Sequence, residues 1–298
     1  MTIRFMGRTA VAIVATACLA AGTQVAARQL AMEPLKDAGQ NIYPAYEGWY
    51  QNEDGSYTLL VGYYNRNKKQ TLDIPIGPDN RIEPGGPDQG QPTHFDVGRG
   101  WGTLTIKVPK DFGDKKITWT LTANGRTVSV PFGITKGYQI EPYLDAAMGN
   151  KPPVIKFAEK GEALTGPPKL AASGMASGVV GEPVTLSYWV TDDGNEETPT
   201  GGSAVPPPAA GTPAPPRRPR VSTTLTKYRG PGTVTFADAT PTIEKDKVTT
   251  TATFSMPGEY WIRLEGNDSS GVGGSGFQCC WTTAYIKVTV KAASTGGH

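Results

Sequence analysis

The sequence predicts an all-β protein made of two antiparallel immunoglobulin-like β-sandwich domains after an N-terminal signal peptide. Beyond residue 50, long helix-forming runs of Ala, Glu, Leu and Lys are missing. Short segments rich in Val, Ile, Thr and Tyr replace them, and Gly, Pro, Asn or Asp residues separate these segments. That pattern is typical of strands joined by turns, and 298 residues suffice for two ordinary domains.

An export signal is predicted at residues 1–27. Arg4 and Arg8 precede the short apolar run Ala10–Gly22, and the small residues Val25–Ala27 offer a cleavage site. A transmembrane anchor is the alternative, but the run is shorter than the roughly 20 residues that cross a bilayer. The mature protein is therefore expected in the periplasm or outside the cell, without a transmembrane segment.

The first sandwich domain is expected at residues 43–143, after a flexible leader at 28–42. Several segments alternate apolar and polar residues with a period of two, which indicates strands with one buried face. Asn124-Gly125 separates two such segments and is a strong signal for a two-residue hairpin turn. The expected strands are Ser56–Asn65, Gln70–Ile76, Gly102–Pro109, Lys116–Thr122 and Arg126–Phe132.

A linker rich in Gly and Pro is predicted at residues 144–168, with one short strand at Val154–Phe157. The second, immunoglobulin-like sandwich is expected at 169–291, and a flexible tail at 292–298. Residues 194–220 are rich in Pro, Gly and Ala, which cannot supply a core, so they predict a disordered insertion. The expected strands are Pro183–Thr191, Val221–Tyr228, Thr233–Ala237, Lys247–Met256, Tyr260–Gly266 and Trp281–Lys291.

The charge balance argues against nucleic acid as a partner. The chain has 29 basic and 27 acidic residues, and removal of residues 1–27 takes away two arginines and no acid. The mature chain is formally neutral, whereas a nucleic-acid surface needs a concentrated basic face. The dense basic run of Arg217, Arg218 and Arg220 lies in the Pro-rich insertion, where it is expected to keep the segment soluble.

The three cysteines predict no disulfide framework. Cys18 follows Ala15–Ala17, which faintly resembles a lipoprotein cleavage box, so a lipid anchor at Cys18 is the less favoured alternative to plain secretion. Cys279 and Cys280 are adjacent, and neighbouring cysteines form a disulfide only with strained geometry. They would form a vicinal ring, stay reduced or pair with another chain. Hydrophobic cores must therefore hold the fold together.

Short motifs in the second domain resemble the immunoglobulin-like and PKD-type modules of secreted proteins. The residues that carry this resemblance are Val190–Gly194 and Pro257–Tyr260, followed by an alternating strand that ends at Gly266–Asp268. The resemblance implies a binding or spacer module without catalytic residues.

The first domain resembles a family of uncharacterised secreted bacterial proteins that carry a C-terminal immunoglobulin-like sandwich. This resemblance implies secretion and a two-part mature chain, and it implies no particular activity. It rests on Asp54–Ser56, Gly62–Asn67, Ile76–Asn80, Pro84–Phe95, Val108–Phe112 and Trp119–Thr122, with Cys279–Thr282 of the second domain.

Catalytic motifs are missing from the sequence. His94 and His298 are the only histidines, and no nucleophile elbow, phosphate loop, dinucleotide fingerprint or zinc motif is present. The protein is therefore expected not to be an enzyme and to need no cofactor or metal. The alternative is a hydrolase, or an accessory domain of one, that uses acidic residues near the Gly77–Gly100 loop.

The Gly77–Gly100 loop is the most polar candidate site. Its prolines restrict the backbone, while Asp88, Gln91 and His94 give it charged and hydrogen-bonding groups. Such a loop on a rigid sandwich is suited to binding. The alternative is a structural loop that covers one end of the domain.

An aromatic face on the last strands is the second candidate site. Strand alternation places Ile262 and Leu264 in the core, so that Trp261 points outward. The same reasoning turns Trp281 and Tyr285 outward on the final strand. Exposed aromatic rings are suited to sugar rings or to protein anchors. The alternative is that the first domain or the Pro-rich insertion covers them.

Calcium at strand ends is the third candidate. Asp192, Asp193, Asn267 and Asp268 offer the oxygen ligands that calcium prefers. The alternative is that these side chains only stabilise turns.

The function expected from these observations is that of an exported, non-catalytic binding or structural module of the cell envelope, which contacts polysaccharide or a partner protein. The hydrolase is one alternative to it. A lipid-anchored assembly subunit, held by Cys18 and using the adjacent cysteines, is another.

Overall fold

The structure of the chain is a computed structural model that describes residues 34–141, 149–170, 173–194, 221–268 and 280–293. The predicted signal peptide, Cys18, most of the Pro-rich insertion, Cys279 and the end of the tail lie outside these ranges. The described residues from Leu35 onward belong to one compact unit. Within the same ranges, no helix has the length and apolar character needed to cross a membrane.

The first sandwich consists of strands β1 to β8. Their bounds are Ile42–Gln51 (β1), Tyr57–Asn65 (β2), Leu72–Asp73 (β3), Asn80–Glu83 (β4), His94–Phe95 (β5), Gly98–Val108 (β6), Ile117–Ala123 (β7) and Arg126–Phe132 (β8). One antiparallel sheet has the order β1-β2-β6 and a second has the order β4-β7-β8, while β3 pairs with β5. A short 3-10 helix follows at Lys136–Tyr138.

The two larger sheets of the first sandwich share one hydrophobic core, which includes the fully buried Leu59 and Trp119. The buried side chain of Asn80 lies beside this core. Its Nδ2 donates to the carbonyls of Ile74 (2.9 Å) and Pro92 (2.8 Å), and its Oδ1 accepts from Trp119 Nε1 (2.9 Å). Asn80 therefore attaches the polar loop to the core, a role that no local sequence pattern indicates.

The second sandwich consists of strands β9 to β16. Their bounds are Val154–Lys156 (β9), Ser173–Val179 (β10), Val184–Thr191 (β11), Val221–Arg229 (β12), Val234–Phe236 (β13), Lys247–Phe254 (β14), Gly258–Asp268 (β15) and Trp281–Lys291 (β16). One sheet has the order β10-β16-β15-β12 and the other the order β13-β14-β11-β9. β10 runs parallel to β16, whereas the other pairs of these two sheets are antiparallel.

A second hydrophobic core fills the space between these two sheets. Alternate residues of each strand supply it, such as Leu186 and Tyr188 on β11 and Ile262 and Leu264 on β15. The inward direction predicted for Ile262 and Leu264 is therefore confirmed. Since each sandwich has its own core, each could bury its apolar face without the other.

The two sandwiches also pack against each other, sheet on sheet. On β2, Leu59 and Val61 face the first core, while Leu60 points the other way and packs with Trp281 of β16. The sheet β1-β2-β6 therefore lies against the sheet β10-β16-β15-β12, and the chain stacks four layers. We call this contact the junction; it includes Glu47, Leu60, Arg99, Trp101 and Thr103 on one side and Tyr228, Trp261, Arg263, Trp281 and Tyr285 on the other.

The all-β fold class predicted from the sequence is confirmed. The Asn124-Gly125 hairpin is also as expected, since it joins β7 to β8 with both residues at positive φ. Four strands were not predicted. β4 and β5 lie within Gly77–Gly100, which was expected to be a loop. β1 was missed because Pro44 and the buried Glu47 interrupt its apolar alternation, and β10 was missed because its sequence is mostly Gly, Ala and Ser.

The strand predicted at Gln70–Ile76 shrinks to Leu72–Asp73. It pairs only with the two-residue strand β5, so no longer ladder forms. Beyond Asp73, the amide of Ile74 donates to the carbonyl of Thr93 (2.8 Å), and Pro75 has no amide hydrogen to donate.

Candidate functional site

The exposed aromatic face expected on the last strands is wrong. Trp281 and Tyr285 are fully buried, and Trp261 is half-buried. Their direction was predicted correctly, because they point away from the second core. Their exposure was predicted wrongly, because strand alternation shows which way a side chain points but does not show whether another sheet covers it. The first sandwich covers this face, as the alternative interpretation expected.

Two tyrosines attach the second sandwich to the backbone of β6. The hydroxyl of Tyr228 shares its one proton between the carbonyls of Gly90 (2.7 Å) and Thr103 (3.0 Å), and Tyr285 donates to the same Thr103 carbonyl. Burial raises the pKa of Tyr285 to about 12 and the pKa of Tyr228 well above its ordinary value. Both phenols therefore keep their protons and act as donors.

The backbone at Gly90 lies close to the side chain of Leu170. It has a φ of +96°, and a Cβ added there would collide with the side chain of Leu170 unless that side chain moved. A side chain at this position would therefore meet both backbone strain and a clash.

A buried ionic cluster lies next to these tyrosines. Glu47 of β1 accepts hydrogen bonds from Arg99 (2.7 Å) and from the amide of Gly102 (2.7 Å). From the other sandwich, Arg263 donates to the carbonyl of Trp101 (2.7 Å) and pairs with Glu265. Burial raises the pKa of Glu47 to about 7, although Arg99, the Gly102 amide and Arg263 act in the opposite direction.

The Gly77–Gly100 loop turns out to be part of the same contact between the sandwiches. Asp88 accepts two hydrogen bonds from Arg229, of 2.7 and 3.2 Å, and this guanidinium lowers the pKa of Asp88. Gln91 is fully buried and holds the loop by accepting from Gln89 N (2.8 Å) and donating to the Pro87 carbonyl. Asp88 and Gln91 thus have structural contacts, in line with the alternative interpretation of the loop.

His94 lies between two carboxylates at the edge of this contact. Its Nδ1 is 2.9 Å from Asp73 Oδ1 and its Nε2 is 3.3 Å from Asp96 Oδ1. Lys227 of the second sandwich reaches the same Asp73 oxygen at 2.7 Å. Burial alone would lower the pKa of His94, but the hydrogen bonds and charges of Asp73 and Asp96 outweigh burial and raise this pKa to about 9. At neutral pH His94 is therefore an imidazolium, which has no lone pair to act as a general base.

The titration of His94 can be measured directly. We expect its imidazole carbon-bound proton resonance to titrate with a midpoint near pH 9, and the Asp73→Asn variant to lower this midpoint by about one unit or more, because one carboxylate is lost. His298 is the only other histidine, so two resonances suffice for assignment.

The exposed Asp111→Asn variant is the matched control and should leave the His94 midpoint unchanged. A wild-type midpoint near the ordinary value of 6.5 would show that the two carboxylates do not hold the ring.

An open surface remains on the other side of the second sandwich, where the sheet β13-β14-β11-β9 turns its outer face away from the core. We call it the outer face; its residues are Thr185, Ser187 and Trp189 on β11, Lys247, Thr249, Thr251 and Thr253 on β14, and Lys156 on β9. Two clefts, of about 240 and 340 Å³, border it. The sequence did not single out Trp189, although the alternation of β11 was a signal for its outward direction.

The calcium candidates do not form one cluster. Along β15, Asn267 donates to Glu265 on the junction side (3.1 Å), whereas Asp268, one residue on, is buried and accepts from Asn150 Nδ2 (2.7 Å). Asp192 accepts from the amide of Gly194 (3.1 Å), which is ordinary turn chemistry. Among the described residues, no group of three or more His, Cys, Asp or Glu side chains is placed to hold a metal ion.

Cys280 is buried and disulfide-bonded. The chain's other cysteines, Cys18 and Cys279, both lie outside the described residues. Of the states expected from the sequence, a reduced Cys280 is therefore wrong.

Comparison with known proteins adds no relative. No protein-family model matches the sequence, and no curated protein matches it. The resemblance to secreted bacterial proteins therefore stays a prediction.

Proposed function

We propose that the chain is an exported, non-catalytic binding module of the cell envelope, and that its ligand is a polysaccharide. The observation that supports this proposal most is the division of the polar and aromatic groups between the two sides of the second sandwich. Asp88, Trp281 and Tyr285 make contacts that join the sandwiches, while the side chains of Gln91 and His94 have their partners within the first sandwich. The outer face, in contrast, presents hydroxyl groups and an indole to solvent.

Joining the sandwiches by packed sheets fits a module that presents a surface. A catalytic site between domains usually needs a cleft and some motion. Here the corresponding space is filled by Tyr228, Tyr285 and Trp281, which are almost fully buried. Export is supported by the N-terminal sequence, because residues 1–27 contain basic residues followed by an apolar run.

Co-sedimentation tests the proposal. The mature protein is mixed with cell-wall sacculi and with a panel of insoluble polysaccharides, and the bound fraction is measured against protein concentration. We expect saturable pelleting with at least one of them and no release of reducing ends. Release of reducing ends that disappears in the Asp96→Asn variant would favour the hydrolase near the Gly77–Gly100 loop.

Pelleting with none of the materials would remove the polysaccharide from the proposal, and a partner protein would replace it. Cross-linking of the mature protein in the envelope would then identify that partner. Fractionation of cells that express the full chain tests export separately, because loss of residues 1–27 should accompany appearance outside the cytoplasm.

A further inference from the structure

The outer face combines an aromatic ring with a regular set of hydroxyl groups. Ser187 and Thr249 are cross-strand partners, with their side-chain oxygens 3.1 Å apart. Thr185 and Thr251 form the next pair along the same two strands. Since sheet geometry fixes the spacing of these side chains, they form a flat polar surface at almost no further conformational cost.

Trp189 lies in the row that continues this surface. Lys156 of β9 and Lys247 of β14 are its cross-strand partners on either side. The ammonium of Lys247 lies 5.1 Å from the centre of the indole ring, a cation–π contact. Trp189 is half-buried, so part of its side chain is open to solvent.

Both clefts open next to this row. The smaller one, about 240 Å³, is bounded by the indole of Trp189 and by charged side chains of both signs. The larger one, about 340 Å³, begins at Lys247 on β14. The smaller cleft is lined by Val154, Lys156, Glu159, Trp189, Thr191, Lys245 and Asp246, and the larger by Asp238, Pro241, Thr242, Glu244, Lys247, Thr249 and Thr250.

A tight turn separates the two clefts. Lys245 and Asp246 both have positive φ, of 50° and 65°, and Glu244 and Lys247 exchange backbone hydrogen bonds across them. The clefts therefore meet at a rigid two-residue turn, and Lys247 borders both the larger cleft and the ring. An extended ligand can follow this path from one cleft to the other.

We propose that the outer face binds an uncharged polysaccharide of the cell envelope, with one sugar ring stacked on Trp189 and its neighbours in the two clefts. This inference rests on the proposed function and assigns its binding surface. The C–H face of a pyranose matches the indole, because both are flat and apolar. Sugar hydroxyls donate and accept hydrogen bonds, and the threonine and serine hydroxyls can do both as well.

The charges around the ring favour an uncharged chain over the other polymers of the envelope. Over the two clefts, the three lysines Lys156, Lys245 and Lys247 are matched by four acidic residues, so the surface has no excess of positive charge; the acidic residues are Asp238, Glu159, Glu244 and Asp246. An anionic polymer would need an excess of basic groups. A protein partner would need a larger apolar anchor than one indole beside Val154.

The test compares Trp189→Ala with Tyr138→Ala, in which an exposed aromatic ring of the first sandwich is removed. Depletion isotherms are measured with the insoluble glucan and amino-sugar polymers cellulose and chitin, and with sacculi. We expect the Trp189→Ala variant to bind about tenfold more weakly or worse, as for an aromatic residue at the centre of a binding surface, and Tyr138→Ala to bind as the wild type does. Lys156→Ala, which removes a side chain that lines the smaller cleft, should weaken binding as well.

Trp189→Phe helps to distinguish a loss of binding from a loss of folding, since it keeps an aromatic ring on the sheet and should retain part of the affinity. Its unfolding temperature and that of Trp189→Ala are measured alongside. Wild-type pelleting that is unchanged in Trp189→Ala overturns this inference and leaves the proposed function intact. Pelleting by sacculi that survives excess soluble oligosaccharide, but not protease treatment of the sacculi, would show that a protein occupies the surface. If the wild-type protein pellets with none of the polymers, both the assigned binding surface and the polysaccharide ligand of the proposed function are contradicted.

Discussion

Replacing Trp281 by alanine is expected to destabilise the protein by about 3–5 kcal/mol, the usual cost of removing a large buried aromatic side chain. Trp281 is fully buried and packs with Leu60, Trp101 and Ile140, all from the first sandwich. The lost contacts therefore belong to the junction and not to either core. Wild-type protein should unfold in one cooperative transition, because the two sandwiches share this buried surface.

The variant should also lose this cooperativity. Each sandwich keeps its own hydrophobic core, so a weakened junction lets the less stable sandwich unfold first. Scanning calorimetry is expected to resolve two transitions in Trp281→Ala where the wild type shows one.

Tyr138→Ala is the matched control, because it removes an exposed ring outside the junction, and it should keep a single transition. A single transition in Trp281→Ala, shifted to lower temperature only, would mean that the sandwiches remain coupled without this side chain. The hydrogen bonds of Tyr228 and Tyr285 would then be the main connection, and the double variant Tyr228→Phe/Tyr285→Phe would test them.

The strands of this fold were largely accessible from the sequence, because period-two alternation is a local property. The bounds of β16 agree with expectation at Trp281–Lys291, and β8 agrees at Arg126–Phe132. The junction was not accessible in the same way. Tyr228 ends an expected strand and Arg229 follows it, and nothing local indicates that their partners are Gly90, Thr103 and Asp88.

The candidate sites failed for a related reason. An aromatic residue that points away from its own core is equally compatible with a ligand surface and with a second sheet. Trp281 and Tyr285 are covered by a sheet of the first sandwich. Trp189 has the same kind of alternation but is only half-buried, on the outer face. Only the arrangement of the four layers separates the two cases, and that arrangement depends on contacts between residues far apart in the chain.

The buried ionic cluster predicts how stability depends on pH. Glu47 has a pKa of about 7 in the folded protein, above its ordinary value of 4.5, so the folded state holds this proton more tightly than the unfolded state. The free energy of unfolding should therefore fall as the pH rises from about 4.5 to 7, by about 3 kcal/mol in total. Urea unfolding at a series of pH values measures this fall in the free energy of unfolding.

Two variants separate Glu47 from its partner. Glu47→Gln cannot lose a proton, so its free energy of unfolding should stay nearly level between pH 4.5 and 7. Arg99→Ala removes the cation that lies 2.7 Å from the carboxylate, so above pH 7 only the Gly102 amide and Arg263 still stabilise the buried charge. We expect Arg99→Ala to lose about 3–5 kcal/mol at pH 8 and distinctly less at pH 5, where Glu47 is protonated.

His94 provides the control, because it titrates over a higher pH range than Glu47 does. Its pKa rises from 6.5 to about 9 on folding, so its contribution is complete below pH 6.5 and is lost as the pH rises through 9. His94→Gln should therefore flatten the profile above pH 6.5 and leave the fall between 4.5 and 6 unchanged, the reverse of Glu47→Gln. If both variants flatten the same interval, the two groups titrate as one coupled system across the contact between the sandwiches. If Glu47→Gln keeps the wild-type slope, Arg99 and Arg263 hold the carboxylate ionised, and burial does not set its proton affinity.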